Sequence, residues 1–307
     1  MGPPVSPSEL RLVLACNPRS GRGRAARAAG VIAASLHGTT IAGRTLRIER
    51  REIGPGQQVI EALAGADALV IAGGDGSVHS LAPLAINARV PVYHVPCGNE
   101  NLMAREFKMT RRPARLREAL ERWRVIEMDA AEYEVGGERG VFVLMCSFGP
   151  DASVIARLHE KRTRALGHAS YIGPILRELR RPRFARVSVR VDGEPVVRRE
   201  SGTLIVANSR QYALRMDPAA RASVTDRMLD IVFLPCRTRG GVLMWGLRSR
   251  VRRQGPRIVH VQGRDIEIET HGDVPYQMDG ECIGRTGGLV EGELRIRVLP
   301  RVLRVLT

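Results

Sequence analysis

The run Ala68-Leu69-Val70-Ile71-Ala72 ends in Gly73-Gly74-Asp75-Gly76-Ser77, and a helical pattern begins at once, with Val78, Leu81, Leu84 and Ala85 three and four residues apart. A short apolar run bounded by turn residues reads as a buried strand. A strand that turns on glycines into a helix gathers backbone N–H groups at a helix N-terminus, a spot that favours phosphate. The Asp75 carboxylate would repel a bare phosphate, so it makes most sense beside a divalent metal. A tight turn with an aspartate capping the next helix explains the pattern about as well when it is taken alone.

Two neighbouring loops shift that balance. Leu12 to Cys16 reads as a first strand and ends in Asn17-Pro18-Arg19-Ser20-Gly21. Pro91 to Val95 reads as another and ends in Pro96-Cys97-Gly98-Asn99-Glu100-Asn101. Helical patterns lie over Arg24–Leu36, Gln57–Leu63, Leu102–Phe107 and Pro113–Arg122, and a further strand over Thr45–Ile53. Strands alternating with helices at this spacing predict a parallel, doubly wound sheet. In such a sheet the loops after the strands gather at the carboxyl edge, where ligands bind.

The rhythm changes near Arg124. Strand patterns then follow one another: Ile126–Val135, Val141–Ser147, Ala185–Asp192, Thr203–Ala207, Leu229–Leu234, Ile258–Val261, Asp265–Thr270 and Leu294–Leu299. Period-two alternation, as in Val187-Ser188-Val189-Arg190-Val191, fits an antiparallel sheet with one wet face. Helical patterns interrupt at Tyr171–Arg181 and Val242–Val251. The expected organisation is an α/β domain over 1–124 and a β-rich, largely antiparallel domain over 125–307, whose last strand is free to return to the first.

The net charge is +16, almost all of the base being arginine, with Lys108 and Lys161 as the lysines. Nucleic acid and an anionic membrane are the obvious partners. Aromatic residues make up only 4%, and no aromatic-interleaved strand suggests base stacking, so the membrane is the better expectation and specific nucleic-acid binding is not expected. The basic pattern around Trp245 fits a membrane-facing helix, or an ordinary amphipathic one. No apolar run nears the ~20 residues of a membrane span, and no secretory signal pattern is visible, which predicts a cytoplasmic, peripherally membrane-associated protein. Cys16, Cys97, Cys146, Cys236 and Cys282 form no C-x-x-C pair, so neither a zinc site nor a disulfide framework is indicated.

The motifs Asn17-Pro18-Arg19-Ser20-Gly21, Gly73-Gly74-Asp75-Gly76-Ser77 and Pro96-Cys97-Gly98-Asn99-Glu100-Asn101-Leu102-Met103-Ala104-Arg105 together make the chain resemble the diacylglycerol kinase catalytic-domain family, which includes bacterial diacylglycerol kinases and sphingosine kinases. Weaker echoes follow in Phe148-Gly149-Pro150-Asp151-Ala152, Asp226-Arg227-Met228-Leu229-Asp230 and Asp279-Gly280-Glu281. The resemblance implies a phosphofructokinase-like nucleotide-binding domain, a β-rich lipid-binding domain and an active site in the cleft between them. It implies ATP binding by Asn17, Pro18, Arg19, Ser20, Gly21, Gly73, Gly74, Asp75, Gly76, Ser77, Val78, His79, Gly98, Asn99 and Asn101. With no P-loop lysine in the family pattern, glycine N–H groups and Mg²⁺ carry the phosphate charge, Asp75 helping to hold the metal. The proton acceptor is implied to be Glu281 with Asp279 beside it, or Asp75 as in sphingosine kinases. Asp226 matches a structural Mg²⁺ position, with Ser223 and Met228 as main-chain contributors, and a plain loop acid is the alternative. Asp151 is either part of a metal network or the cap of the following helix.

Several positions depart from the family pattern. Asn99 stands where Thr or Ser is usual, Leu102 where diacylglycerol kinases have Asp, Gln211-Tyr212-Ala213-Leu214-Arg215 where a glycine-rich turn is usual, and Arg227 where Gly is common. They leave the lipid acceptor open. The expected activity is an ATP- and Mg²⁺-dependent lipid kinase working on a lipid at a membrane surface, with a homodimer as an open option. An NAD kinase-like enzyme shares the Gly-Gly-Asp-Gly loop but not the Asn-Pro-x-Ser-Gly motif. A nucleotide-binding regulator without transfer is the third reading.

Overall fold

The computed structural model describes residues 8–54, 57–150, 152–153, 184–238, 240–241, 244, 257–281 and 289–307. The chain divides into two compact units, Met1–Met128 with Arg301–Thr307, and Asp129–Pro300. It is a mixed α/β fold with a β-rich C-terminal part. The patterns over Tyr171–Arg181 and, apart from Met244, Val242–Val251 lie outside the described residues, as do Asp151 and Cys282.

In the first unit the elements run β1 (Glu9–Cys16), α1 (Arg24–Leu36), β2 (Thr40–Ile41), β3 (Arg44–Glu52), α2 (Gln57–Leu63), β4 (Ala68–Gly73), α3 (Asp75–Ala88), β5 (Val92–Pro96), α4 (Leu102–Glu106) and α5 (Pro113–Arg122). Strands β5, β4, β1 and β3 lie side by side, all parallel, with β2 antiparallel to β3. Every residue of β4 is buried, which is why its sequence is a continuous apolar run and not an alternation. Helix α1 buries Ala25, Ala29, Ile32 and Leu36, the spacing of one helical face. Because β1, β4 and β5 point the same way, the loops that leave them share one edge.

The second unit is built from β6 (Val125–Val135), β7 (Glu138–Phe142), β8 (Met145–Phe148), β9 (Ala185–Val191), β10 (Glu194–Ala207), β11 (Leu229–Pro235), β12 (Val259–Gly263), β13 (Asp265–Met278) and β14 (Leu289–Leu306). Strands β6 and β14 begin in one unit and end in the other. The β-pairs within the second unit are antiparallel. Strands β10 and β13, fourteen residues each, flank β9 with one half and β8 with the other. In β9, Ala185, Val187, Val189 and Val191 point inward, and Arg186 and Arg190 are exposed. The core centres on Phe142, Phe148, Phe233 and Tyr276, with the Phe148 and Tyr276 rings stacked 6.0 Å apart.

Several strand expectations are revised: β13 runs on past the expected Thr270 to Met278, and β14 spans Leu289–Leu306 where Leu294–Leu299 was expected. Strand β10 begins at Glu194, nine residues before the expected start, because Asp192 and Gly193 both take positive φ and close a two-residue hairpin from β9. The single strand expected over Val141–Ser147 is two strands, β7 and β8. The break has a local cause: the N–H groups of Val143, Leu144 and Met145 all turn onto one carboxylate, that of Asp279, and leave the ladder. Among the described residues no helix is long and apolar enough to cross a membrane.

Candidate active site

In the first unit the loops after β1, β4 and β5 form a single backbone-on-backbone cluster. Asn17 N–H donates to the Ala72 carbonyl at 3.0 Å, and its side-chain oxygen accepts from Arg19 N–H at 3.1 Å, a turn that asparagine makes readily. Gly21 has φ +59, and a Cβ there would sit 2.1 Å from the Cys97 carbonyl oxygen. A Cβ on Gly98 would lie 2.7 Å from the Gly74 Cα, and one on Gly74 would lie 3.1 Å from the Gly98 Cα. Cys97 N–H donates to the Gly73 carbonyl at 2.7 Å. The glycines are thus required by close approach of main chain to main chain. Gly98→Ala is expected to push the loops apart and lower the melting temperature, while Gly30→Ala, where an added Cβ meets nothing within 4 Å, does not lower it; thermal unfolding reads both.

Asp75 stands at the first position of α3, and no side chain caps that helix. Its two carboxylate oxygens accept from the backbone N–H groups of Asn101 (2.8 Å) and Leu102 (2.6 Å). The acid therefore clasps the third loop to the second. Asn101, with φ +50, turns its amide onto its own loop, accepting from Gly98 N–H at 2.7 Å and donating to the Gly98 carbonyl at 3.0 Å. Its side chain braces the loop that was expected to bind nucleotide with it. Ser77 and Val78 are buried, Ser77 packing where a Gly73 Cβ would be, whereas His79, Asn99 and Pro18 are half-buried and Arg19 is exposed.

Beneath the cluster lies a residue the motifs did not mark. His94, fully buried on β5, bonds through Nε2 to the Gly73 carbonyl at 3.1 Å, and its Nδ1 has no partner. Since a carbonyl only accepts, Nε2 carries the proton. Burial pulls the pKa from 6.5 down to about 4, against a smaller upward pull from the Gly73 bond. Between those values the unfolded chain binds a proton that the folded one does not, so stability is full above pH 6.5 and is lost as pH falls toward 4. The loss is roughly 3 kcal/mol at its limit. Chemical denaturation at pH 7.5 and 4.5 is expected to show this sag in the natural protein and a shallower one in His94→Leu.

In the second unit, Asp279 and Gly280 both have positive φ, and Met278 and Glu281 exchange backbone hydrogen bonds across them at 3.0 and 2.8 Å. This is a two-residue hairpin turn. The turn accounts for the glycine, and the Asp279 carboxylate is accounted for separately: it is 1% exposed and accepts from Val143, Leu144 and Met145 at 2.8, 2.8 and 3.0 Å. The Asp279 carboxylate, expected among the catalytic acids, holds main chain in this way. Glu281, next in line, is half-buried.

Asp226 lies on the loop before β11. Its Oδ1 accepts from Met228 N–H at 3.1 Å and its Oδ2 from the Gln262 amide at 3.2 Å. Gln262 also donates to Asp230, whose other oxygen is 2.6 Å from His260 Nε2. Although the Asp226 residue is exposed, partial burial of its carboxyl raises the pKa, opposed by the Met228 N–H and reinforced by Asp230 and Asp129. Ser223 Oγ is engaged 3.4 Å from Thr225 Oγ1. Among the described residues no three of His, Cys, Asp and Glu are arranged to hold a metal ion. Sequence reasoning missed Asp129 and Asn208, whose one signal is a polar residue inside or just past the end of an apolar strand, and it gave Asp230 no role beyond its place in a motif.

Residues 11–133 match the family model described as the diacylglycerol kinase catalytic domain, and residues 145–307 match that described as the YegS C-terminal NAD kinase beta sandwich-like domain. The chain belongs to the diacylglycerol kinase catalytic-domain family. A family relative in fold, a candidate diacylglycerol kinase from Bacillus anthracis, has a solved structure with TM-score 0.70 at 19% identity, covering 97% of each chain. A second solved structure, of a diacylglycerol kinase from the same organism, gives TM-score 0.64 at 16% identity over 98% of each. These likenesses show the fold. An uncharacterised protein from Synechocystis is 22% identical over 246 residues, 78% of this chain and 54% of its own. The chain spans about half the length of that curated relative.

Proposed function

We propose that the protein is an ATP- and Mg²⁺-dependent lipid kinase, transferring the γ-phosphoryl group to a primary hydroxyl of a diacylglycerol, a sphingoid or a related lipid. The observation that carries this reading is the three-loop cluster, in which Gly21, Gly74 and Gly98 let main chain approach main chain and Asp75 clasps Asn101 and Leu102. An uncapped helix N-terminus beside closely packed glycine loops suits a polyphosphate. Phosphoryl transfer depends mostly on positioning and on electrostatic stabilisation of spread negative charge, and a rigid backbone cluster supplies the first.

The residues also fit a hard cation. Asp226 offers oxygen donors of the kind a divalent ion takes, and its raised pKa comes first from burial of the carboxyl, with Asp230 and Asp129 adding to it. On this reading Asp226 with the main chain of Ser223 and Met228 holds one Mg²⁺, and Asp75 a catalytic one. Bound Mg²⁺ supplies neutralisation of charge on the phosphoryl group. Glu281 is the base in this reading, orienting and deprotonating the lipid hydroxyl. The net charge of +16 suits peripheral docking on an anionic membrane.

A second reading has one observation in its favour, the match of residues 145–307 to an NAD kinase-like β-sandwich model. The experiment that separates them incubates purified protein with labelled ATP, Mg²⁺, a panel of lipids and NAD. Label in a lipid is the expected result. Label in NADP overturns the lipid reading, and ATP binding with no transfer to any acceptor makes the protein a regulator.

A further inference from the structure

The corner between β7 and β8 is held in an unusual way. Val143 and Leu144 have left the ladder and Met145 is the first residue of β8, yet all the backbone polar groups of these three residues are partnered. The N–H groups go to the Asp279 carboxylate, and the Met145 carbonyl accepts from Asp279 N–H at 2.8 Å. The Leu144 carbonyl accepts from the N–H groups of Asn208 and Ser209 at 2.9 and 3.0 Å. The Val143 carbonyl accepts from Asn208 Nδ2 at 2.8 Å. The same Nδ2 donates its second proton to the Asp129 carbonyl at 2.7 Å.

Asp129 extends the connection. Its N–H donates to Val224 at 2.7 Å, and its carboxylate accepts from Arg227 N–H at 2.6 Å. A buried hydrogen-bonded path thus runs from the loop that carries Asp226, through Asp129 and Asn208, to Val143 and Asp279, and so to the turn that presents Glu281. Asn208 is fully buried and its Oδ1 has no partner. A buried unpaired carbonyl costs stability, so the residue is explained by its two donors. A primary amide is the neutral side-chain group that donates two hydrogen bonds from one atom.

We propose that Asn208 is a positioning residue for Glu281, fixing the Val143–Met145 corner against which the Glu281 turn is hung. The proposal rests on Glu281 being the base. Asn208 touches no reacting atom in this account; it acts through the corner and Asp279. Small displacements of a catalytic group cost heavily in rate. An Asn208 variant therefore loses turnover while ATP affinity, which resides in the loops of the other unit, is unchanged.

The test is a double-mutant cycle of Asn208→Ala and Glu281→Gln with the full chain, measuring kcat, KM for ATP and melting temperature. Asn208→Ser, which keeps one donor, is run beside them as the variant that still folds if alanine does not. The expected result for Asn208→Ala is a kcat loss of about 10²-fold with KM for ATP unchanged, and a smaller loss for Asn208→Ser. In the Glu281→Gln background the same Asn208 change costs less than about threefold further, because the group it positions is already gone. Equal losses in both backgrounds overturn the proposal, as does a fall in melting temperature without a fall in kcat. Full activity of Glu281→Gln alone removes the base reading itself, and Asn208's role with it. Additive losses remove the positioning role and leave the base reading standing.

Discussion

Asp75→Ala is expected to reduce kcat/KM for ATP by ~10² or more, with most of the effect in ATP affinity. Its carboxylate receives two backbone N–H groups, at 2.6 and 2.8 Å, and hydrogen bonds to a charged acceptor contribute about 1.5–3 kcal/mol each. Removing both leaves Asn101 and Leu102 N–H groups at the start of α4 without acceptors and frees the third loop from the second. The Gly74–Gly98 contact and the Asn101–Gly98 brace then lose that tie to α3. Asp75→Asn is expected to restore little, because an amide accepts through one oxygen and presents N–H to the other donor. Calorimetric ATP affinity at several Mg²⁺ concentrations separates the roles. Weak ATP binding at every Mg²⁺ level marks the clasp, and normal ATP binding with transfer lost would show that metal or proton chemistry at Asp75 outweighs it.

The second large effect sets two neighbouring acids apart. Glu281→Gln is expected to lower kcat by ~10²–10⁴, the usual scale for removing a general base, with little change in stability. Asp279→Asn is expected to lower stability and kcat together. Three backbone N–H groups converge on the Asp279 carboxylate in a fully buried setting, and an amide in its place sets N–H against N–H. The decisive measurement is the pH dependence of kcat. Glu281→Gln should remove the acid limb, while Asp279→Asn should keep that limb at reduced amplitude and melt several degrees lower. An acid limb that survives in Glu281→Gln would return the base role to Asp75 or another group.

Local features of the fold were legible because they depend on local chemistry. The bounds of α1, α2 and α5 follow from apolar periodicity and from Pro113 at a helix start. The β4 run reads as buried from composition alone. The length of β10 was missed because Asp192 takes a left-handed conformation that a sequence permits but does not announce. The roles of Asp75 and Asp279 were hidden for a different reason. Their donors lie 26 and 27 residues away for one, and 134 to 136 for the other. The motifs showed that acids belonged there, and only the fold shows that backbone amides meet them. His94 gave no signal at all: within Val92-Tyr93-His94-Val95 it looks like one polar residue in a strand, and its contact with Gly73 exists only because β4 and β5 are paired.

The return of the last strand sets the order in which the molecule can be finished. The edge of β5 pairs with Val305 of β14, and Thr307 N–H closes onto the Arg124 carbonyl. Val92 leaves the ribosome more than two hundred residues before its partner does. At about 5–20 residues per second that edge waits on the order of ten to forty seconds in the open. Unpaired strand edges recruit other strands, so nascent chains are most exposed to mispairing at β5 during this interval. Stalling synthesis before Arg301 should accordingly yield chains that aggregate through that edge, whereas completed chains seal it from within.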